Sequence, residues 1–164
     1  LPNPGPNELS VALHVAFGSL EAVLAADLEN GSSDSVGWRA VFADSRNKGK
    51  SASLLKVAHH GSKGADHAPL FAGMLAKVQL AGVAPFHSSG LPTNADLARL
   101  KSRNISTFHT SPQAPPKLKL ERSVEKALGD ATIREMRGKM GHVRFRFGVD
   151  GSPRVELFGA AAQV

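Results

Sequence analysis

Short apolar runs, each broken within about ten residues by glycine, proline or a polar cluster, set the main limit on how this chain folds. The runs at 9–17, 20–26, 53–58, 77–86 and 105–110 read as strands. Gly18-Ser19 separates the first two and predicts a hairpin. Between the later runs lie helical signals. Val36, Trp38, Val41 and Phe42 space like one helical face, and Pro69 opens a helix reaching Leu75. Thr93-Asn94-Ala95-Asp96 begins another, with Leu97 and Leu100 apolar and an end near Asn104. A Pro-rich connector over 111–119 precedes a short amphipathic helix at 121–128. Strands at 131–136, 142–149 and 154–158 follow, with Asp150-Gly151 turning between the last two. Strands alternating with helices before a β-rich end predict a layered α/β domain.

Composition narrows the function classes. The 164 residues suffice for one domain, and 41% apolar content supports a core. Without cysteine there is no disulfide scaffold, thiolate metal site or Cys nucleophile, so any metal is held by imidazole nitrogen and carboxylate oxygen. No apolar run approaches the roughly 20 residues of a membrane-spanning helix. No targeting segment is recognisable, and the reading is a cytoplasmic protein. Eight Phe and one Trp, with no Tyr, make aromatic stacking on single strands a minor device. Charge is placed unevenly: residues 1–98 hold seven bases and eight acids, whereas 99–164 hold thirteen bases and six acids. A basic half beside a neutral half suits a polyanion across one side, or is simply a solvated surface.

Three places concentrate chemistry, all at strand ends: Asp27, the turn His59-His60-Gly61-Ser62, and the polar stretch around His87 and Leu91-Pro92. In layered α/β folds such ends converge on one edge where loops build sites. Carboxylate and imidazole suit Zn²⁺ or Mn²⁺. Each residue also has a plainer reading. Asp27 there serves as a turn former or helix cap, and Ser62, lacking a Gly-x-Ser-x-Gly elbow, as a turn cap. His67, His87 and His109 read as surface or supporting residues, and His14 and His142, inside strands, as structural.

The hairpin followed by Ala26-Asp27-Leu28-Glu29, and Leu55-Lys56-Val57-Ala58-His59-His60-Gly61-Ser62 after the next strand, resemble the C-terminal half of a metallo-β-lactamase-fold hydrolase. The branch is that of competence-type DNA-uptake channel proteins and related enzymes. Asn7-Glu8-Leu9-Ser10 and Gly141-His142-Val143-Arg144-Phe145 are similar to its pattern too. The resemblance covers roughly 7–110, and weakly 139–158. It implies half of a four-layer αββα sandwich over 7–164, with an insertion near 111–128; the Pro-rich residues 1–6 read by themselves as a linker or cleavage remnant.

By the same resemblance, Asp27 bridges two divalent ions and one histidine of the pair ligates the second. His60 is preferred because related nucleases place a ligand two residues before a Ser; His59 then supports the site or faces substrate. Two ions about 3.5–4 Å apart activate water and stabilise both attacking and leaving oxygens, which suits phosphodiester hydrolysis. The family's His-x-His-x-Asp-His motif is absent, so the remaining ligands are expected in a preceding N-terminal half that is the chain's main partner. Leu91-Pro92 replaces the family's His-Pro, leaving His87 to substitute. The expected function is a metal-dependent nuclease or phosphodiesterase acting on nucleic acid, with cleavage by an activating protease as its control. The alternatives are a hydrolase of lactones, thioesters or phosphocholine esters, and a degenerate, non-catalytic interaction module.

Overall fold

The computed structural model describes residues 3–111, 121–128 and 140–164. The backbone N–H of Gly5 donates to Glu8 Oε2 at 3.0 Å and closes a 3₁₀ turn over Pro6–Leu9. That turn takes the start of the predicted first strand, so β1 spans Ala12–Phe17. Gly18, with φ of +57°, reverses the chain into β2 (Leu20–Ala25), and the two strands pair antiparallel from Phe17↔Leu20 to Ala12↔Ala25. α1 (Gly37–Ala43), α2 (Ala68–Ala72) and α3 (Asn94–Lys101) alternate with β3 (Leu54–Lys56), β4 (Leu80–Val83) and β5 (Ser106–His109). After α4 (Arg122–Leu128) come the β6 (Gly141–Phe147) and β7 (Pro153–Gly159) ribbon and a short β8 (Ala162–Gln163).

The result is a mixed α/β fold. A six-stranded sheet runs β1-β2-β3-β4-β5-β8, with β2 to β5 parallel and both edges antiparallel. Parallel strands require crossovers, and α1, α2 and α3 supply them. The row Val23–Leu55–Ala81–Thr107 crosses the sheet fully buried. It packs towards Trp38, Leu70, Met74 and Leu100 of the helical layer and the turn after α2. The next row, Leu13–Leu24–Lys56–Gly82–Phe108, lies on the opposite face because strand side chains alternate. There the β6–β7 ribbon lays Phe145 edge-on to Phe108, ring centroids 5.9 Å apart. A Cβ on Gly82 would stand 3.2 Å from the Phe145 ring, so glycine allows the ribbon to sit this close.

The ribbon covers only one end of this face. Val11, Leu13, Val15 and Phe17 alternate along β1 and its approach with 65%, 55%, 39% and 82% of their surface exposed, and Leu24 continues the patch. Among the described residues no helix is long and apolar enough to cross a membrane.

Several elements differ from the sequence expectation in length. The strand expected at 53–58 keeps three residues, because the chain turns at Ala58–Gly61. The strand at 77–86 shortens to Leu80–Val83 because α2 stops at Gly73 and turns through the following residues occupy its start. Thr93 caps α3 reciprocally: its hydroxyl accepts from the Asp96 N–H at 3.2 Å, and Asp96 Oδ2 accepts from the Thr93 N–H at 2.9 Å. Gly151, with φ of +79°, makes the predicted turn before β7. The strand expected at 131–136 and the connector beyond Ser111 lie outside the described residues.

Candidate metal centre at the carboxyl ends of the parallel strands

In open α/β sheets the crevice outside the carboxyl ends of parallel strands is where backbone groups and loops are free to meet a ligand. Here Asp27 follows β2, His59 and His60 follow β3, and Ala84 follows β4. Parallel pairing of β2 with β3 and of β3 with β4 therefore brings three sequence-distant segments to one edge.

The His turn has an unusual backbone. His59 (φ +42°, ψ 50°) and His60 (φ +55°, ψ 22°) are both left-handed, and Gly61 follows with φ of +86°. Two consecutive non-glycine residues there cost about 1–3 kcal/mol each, and such strain persists only where surrounding contacts over-determine it. Those contacts are present. The His59 N–H donates to the Ala26 carbonyl at 3.0 Å, and the Ser62 N–H donates to the His59 carbonyl at 2.9 Å. Arg99 donates to the Gly61 carbonyl at 2.6 Å. The Ser62 hydroxyl accepts from the Gly64 N–H at 3.2 Å, the capping role expected of it.

The two histidines are used differently. Nδ1 of His59 donates to Glu29 Oε1 at 2.9 Å, and its Nε2 accepts from Asn7 Nδ2 at 3.3 Å. Both ring nitrogens are thus engaged. His60 is half free. Its Nδ1 lies 2.6 Å from the Ala84 carbonyl, which can only accept, so Nδ1 carries a proton, and in the neutral ring Nε2 then presents a lone pair. The ring also stacks on Phe86 at 5.1 Å and 27°. Nε2 faces Asp27 Oδ1 at 3.6 Å. In that tautomer two acceptors confront each other with no hydrogen between them, an arrangement that a cation satisfies. Metal ligands at about 2.0–2.2 Å and a tetrahedral angle stand roughly 3.3–3.6 Å apart, a range that reaches the spacing seen. Metal-bound imidazole typically donates its other ring N–H to such a carbonyl, which fixes the ring's orientation. The donor set and its orientation therefore fit a divalent cation. Among the described residues no group of three His, Asp or Glu side chains forms a complete metal cluster.

Lys56 borders this pair. Its ammonium donates to the Ala26 carbonyl at 3.0 Å; burial pushes its pKa below the ordinary value, and the nearby Asp27 charge opposes that shift.

Four other histidines have contacts of their own. His14 Nε2 donates to the Ser51 carbonyl at 2.8 Å, tying β1 to the loop before β3. His67 sits at the start of α2, edge-on to Phe42, its pKa lowered by burial and by Arg39 and partly restored by Asp66. His87 Nε2 lies 3.2 Å from the Ser111 hydroxyl, in the turn after β4. His142 stacks on Phe158 across the ribbon.

Asn7, Glu29, Ala84 and Arg99 are parts of the site to which sequence reasoning assigned no role. Asn7 and Glu29 lie within the quoted motifs, so a reciprocal polar pairing was the available signal. Ala84 acts through its backbone and carries none. Compared with known protein families, curated proteins and solved structures, the chain has no match.

Proposed function

We propose that this chain is the C-terminal half of a metal-dependent hydrolase with a metallo-β-lactamase-type four-layer fold, acting as a nuclease or phosphodiesterase. The observation that carries the reading is His60 Nε2 facing the Asp27 carboxylate at 3.6 Å while the Ala84 carbonyl occupies Nδ1. In this reading Asp27 and His60 hold divalent ions, Zn²⁺ or Mn²⁺, and the other ligands come from outside the 164 residues. Bound divalent ions supply Lewis-acid charge and lower the pKa of water. The chain's own residues orient the donors: the Ala84 carbonyl sets the His60 tautomer, and His59, locked between Glu29 and Asn7, braces the turn rather than ligating.

The bare end of the sheet face supports the same architecture. Val11, Leu13, Val15, Phe17 and Leu24 form an exposed apolar patch of the kind that marks an interaction site. A second sheet from the preceding half packing there, as sheets do about 10 Å apart, completes a sandwich between helical layers. Nucleic acid is the favoured substrate because 99–164 carries thirteen bases against six acids.

The test uses the protein carrying its natural preceding sequence, loaded with Mn²⁺ or Zn²⁺. Plasmid, single-stranded DNA and RNA are assayed against a lactone, a thioester and a phosphocholine ester. Nucleic acid cleavage lost in Asp27→Ala is the expected result. Turnover of a small ester alone moves the substrate class, and no turnover of any substrate leaves the non-catalytic interaction module.

A further inference from the structure

The outer face of the β6–β7 ribbon carries an unbalanced charge. Alternation along the strands places His142, Arg144 and Arg146 outward, and the antiparallel register sets Phe158, Glu156 and Arg154 opposite them. All three arginines converge on Glu156, at 3.3, 3.3 and 3.5 Å. One carboxylate cannot neutralise three guanidinium groups, so about two positive charges remain on a few residues of strand. The side chains stay accessible, with 46%, 58% and 77% of their surface exposed, whereas Glu156 is tucked beneath them at 19%. The more buried Arg99 and Arg103 are compensated differently, sharing the carboxylates of Asp66 and Asp96.

An aromatic surface adjoins the charge. His142 stacks on Phe158 at 4.3 Å and 12°, and the Arg144 guanidinium lies 5.1 Å from the Phe158 ring centre. Planar cations beside an exposed ring match a ligand that repeats phosphates and flat bases. Arg144 and Arg146 are two residues apart on one strand, about 6.8 Å, comparable with the step between phosphates in an extended single strand.

The ribbon is also rooted next to the candidate metal centre. Phe145, between the two arginines, rests on Gly82, two residues before the Ala84 that holds His60. Val143 and Phe145 line a cavity of about 220 Å³ together with Lys56, Gly82 and Ala84. β8 ties the far end of the ribbon back to β5.

We propose that the outer face of the β6–β7 ribbon binds the phosphodiester backbone of nucleic acid, with Arg144, Arg146 and Arg154 on phosphates and Phe158 under a base. This deepens the nuclease reading by naming the surface that holds its substrate, and its test is independent of cleavage.

Binding of a short fluorescent single-stranded oligonucleotide to the full chain is followed by anisotropy in EDTA, across a salt series. Arg144→Gln/Arg146→Gln/Arg154→Gln is expected to weaken binding about tenfold or more and to reduce the log–log salt slope by about 2. Unchanged affinity and slope, in a variant with wild-type circular dichroism, overturn the proposal. Should that variant fail to fold, Glu156→Gln decides: freeing the arginines from their internal carboxylate is expected to tighten binding, and unchanged or weaker binding overturns the surface. Phe158→Ala is expected to weaken oligonucleotide binding and leave heparin binding unchanged. Equal loss for both, or none for either, overturns the nucleic-acid assignment. Absent nucleic acid cleavage in the activity assay alongside intact oligonucleotide binding sinks the nuclease reading and leaves this surface standing.

Discussion

Arg99 of α3 donates to the Gly61 carbonyl across 2.6 Å and so clamps the strained His59–His60 turn to the helical layer. The same guanidinium pairs with Asp96 at 2.8 Å and with Asp66 at 2.8 Å, and Asp66 also takes Arg103 at 2.7 Å. One planar fork thus serves three acceptors from three segments, a geometry that a point-charge ammonium does not reproduce. The turn that presents His60 is held from below by this network and from the sides by Ala26 and Ala84.

Arg99→Met is expected to destabilise the protein by about 2–3 kcal/mol, because it leaves two partly buried carboxylates and a carbonyl with fewer partners. Arg99→Lys should recover less than half of this loss. Urea denaturation of the three proteins measures it, and a Lys variant as stable as wild type refutes the fork argument.

His60→Ala and His59→Ala separate the proposed ligand from the proposed brace. Calorimetric titration with Zn²⁺ or Mn²⁺ on the protein with its natural preceding sequence is expected to show His60→Ala removing one class of sites. His59→Ala, which breaks only the Glu29 and Asn7 contacts, should weaken binding about 10–100-fold, as loss of an orienting partner does. The opposite ranking exchanges the two assignments.

In the proposed nuclease, Asp27→Asn should abolish nucleic acid cleavage with a stability change within about 0.5 kcal/mol, since the side chain is 42% exposed. Parallel cleavage and thermal-melt measurements check both halves, and retained cleavage removes Asp27 from the proposed metal centre.

Asp96 gives the protein a pH-dependent contribution. Burial alone would raise its pKa, but hydrogen bonds from Thr93 and Arg99 outweigh that and hold it below the ordinary 3.8. A carboxylate with a lowered native pKa binds fewer protons folded than unfolded, so its stabilisation is complete above the unfolded value and fades as pH falls through the native one. Asp96→Asn is therefore expected to cost about 1–2 kcal/mol at neutral pH. The gap from wild type should stay constant down to about pH 4 and close below it. Denaturant titrations from neutral to strongly acid pH measure this, and a gap independent of pH contradicts the linkage.

Local signals made most of the sheet legible. The β1–β2 hairpin follows from two apolar runs around Gly18-Ser19, and α3 from its Thr93–Asp96 capping box, because both depend on neighbours in sequence. Strand ends were less legible. Where β3 stops depends on the strained turn beyond it, and where β4 starts depends on the exit from α2. The partners of the site were not legible at all. Ala84, Glu29 and Asn7 lie 24, 30 and 52 residues from the histidines they hold, and no local period relates them. Asp66 and Arg103, 37 residues apart, show the same limit.

By itself, then, the sequence determined the repertoire: alternating strands and helices, chemistry confined to imidazole and carboxylate donors, and Asp27 and the His pair placed where strands end. Only the tertiary structure decided which ring nitrogen is available. Laying β4 beside β3 puts the Ala84 carbonyl on His60 Nδ1, and laying β2 on the other side puts Asp27 before Nε2. The same packing engages both nitrogens of His59. A tautomer is set by the partner that the neighbouring strand delivers, and that neighbour is a property of the sheet order.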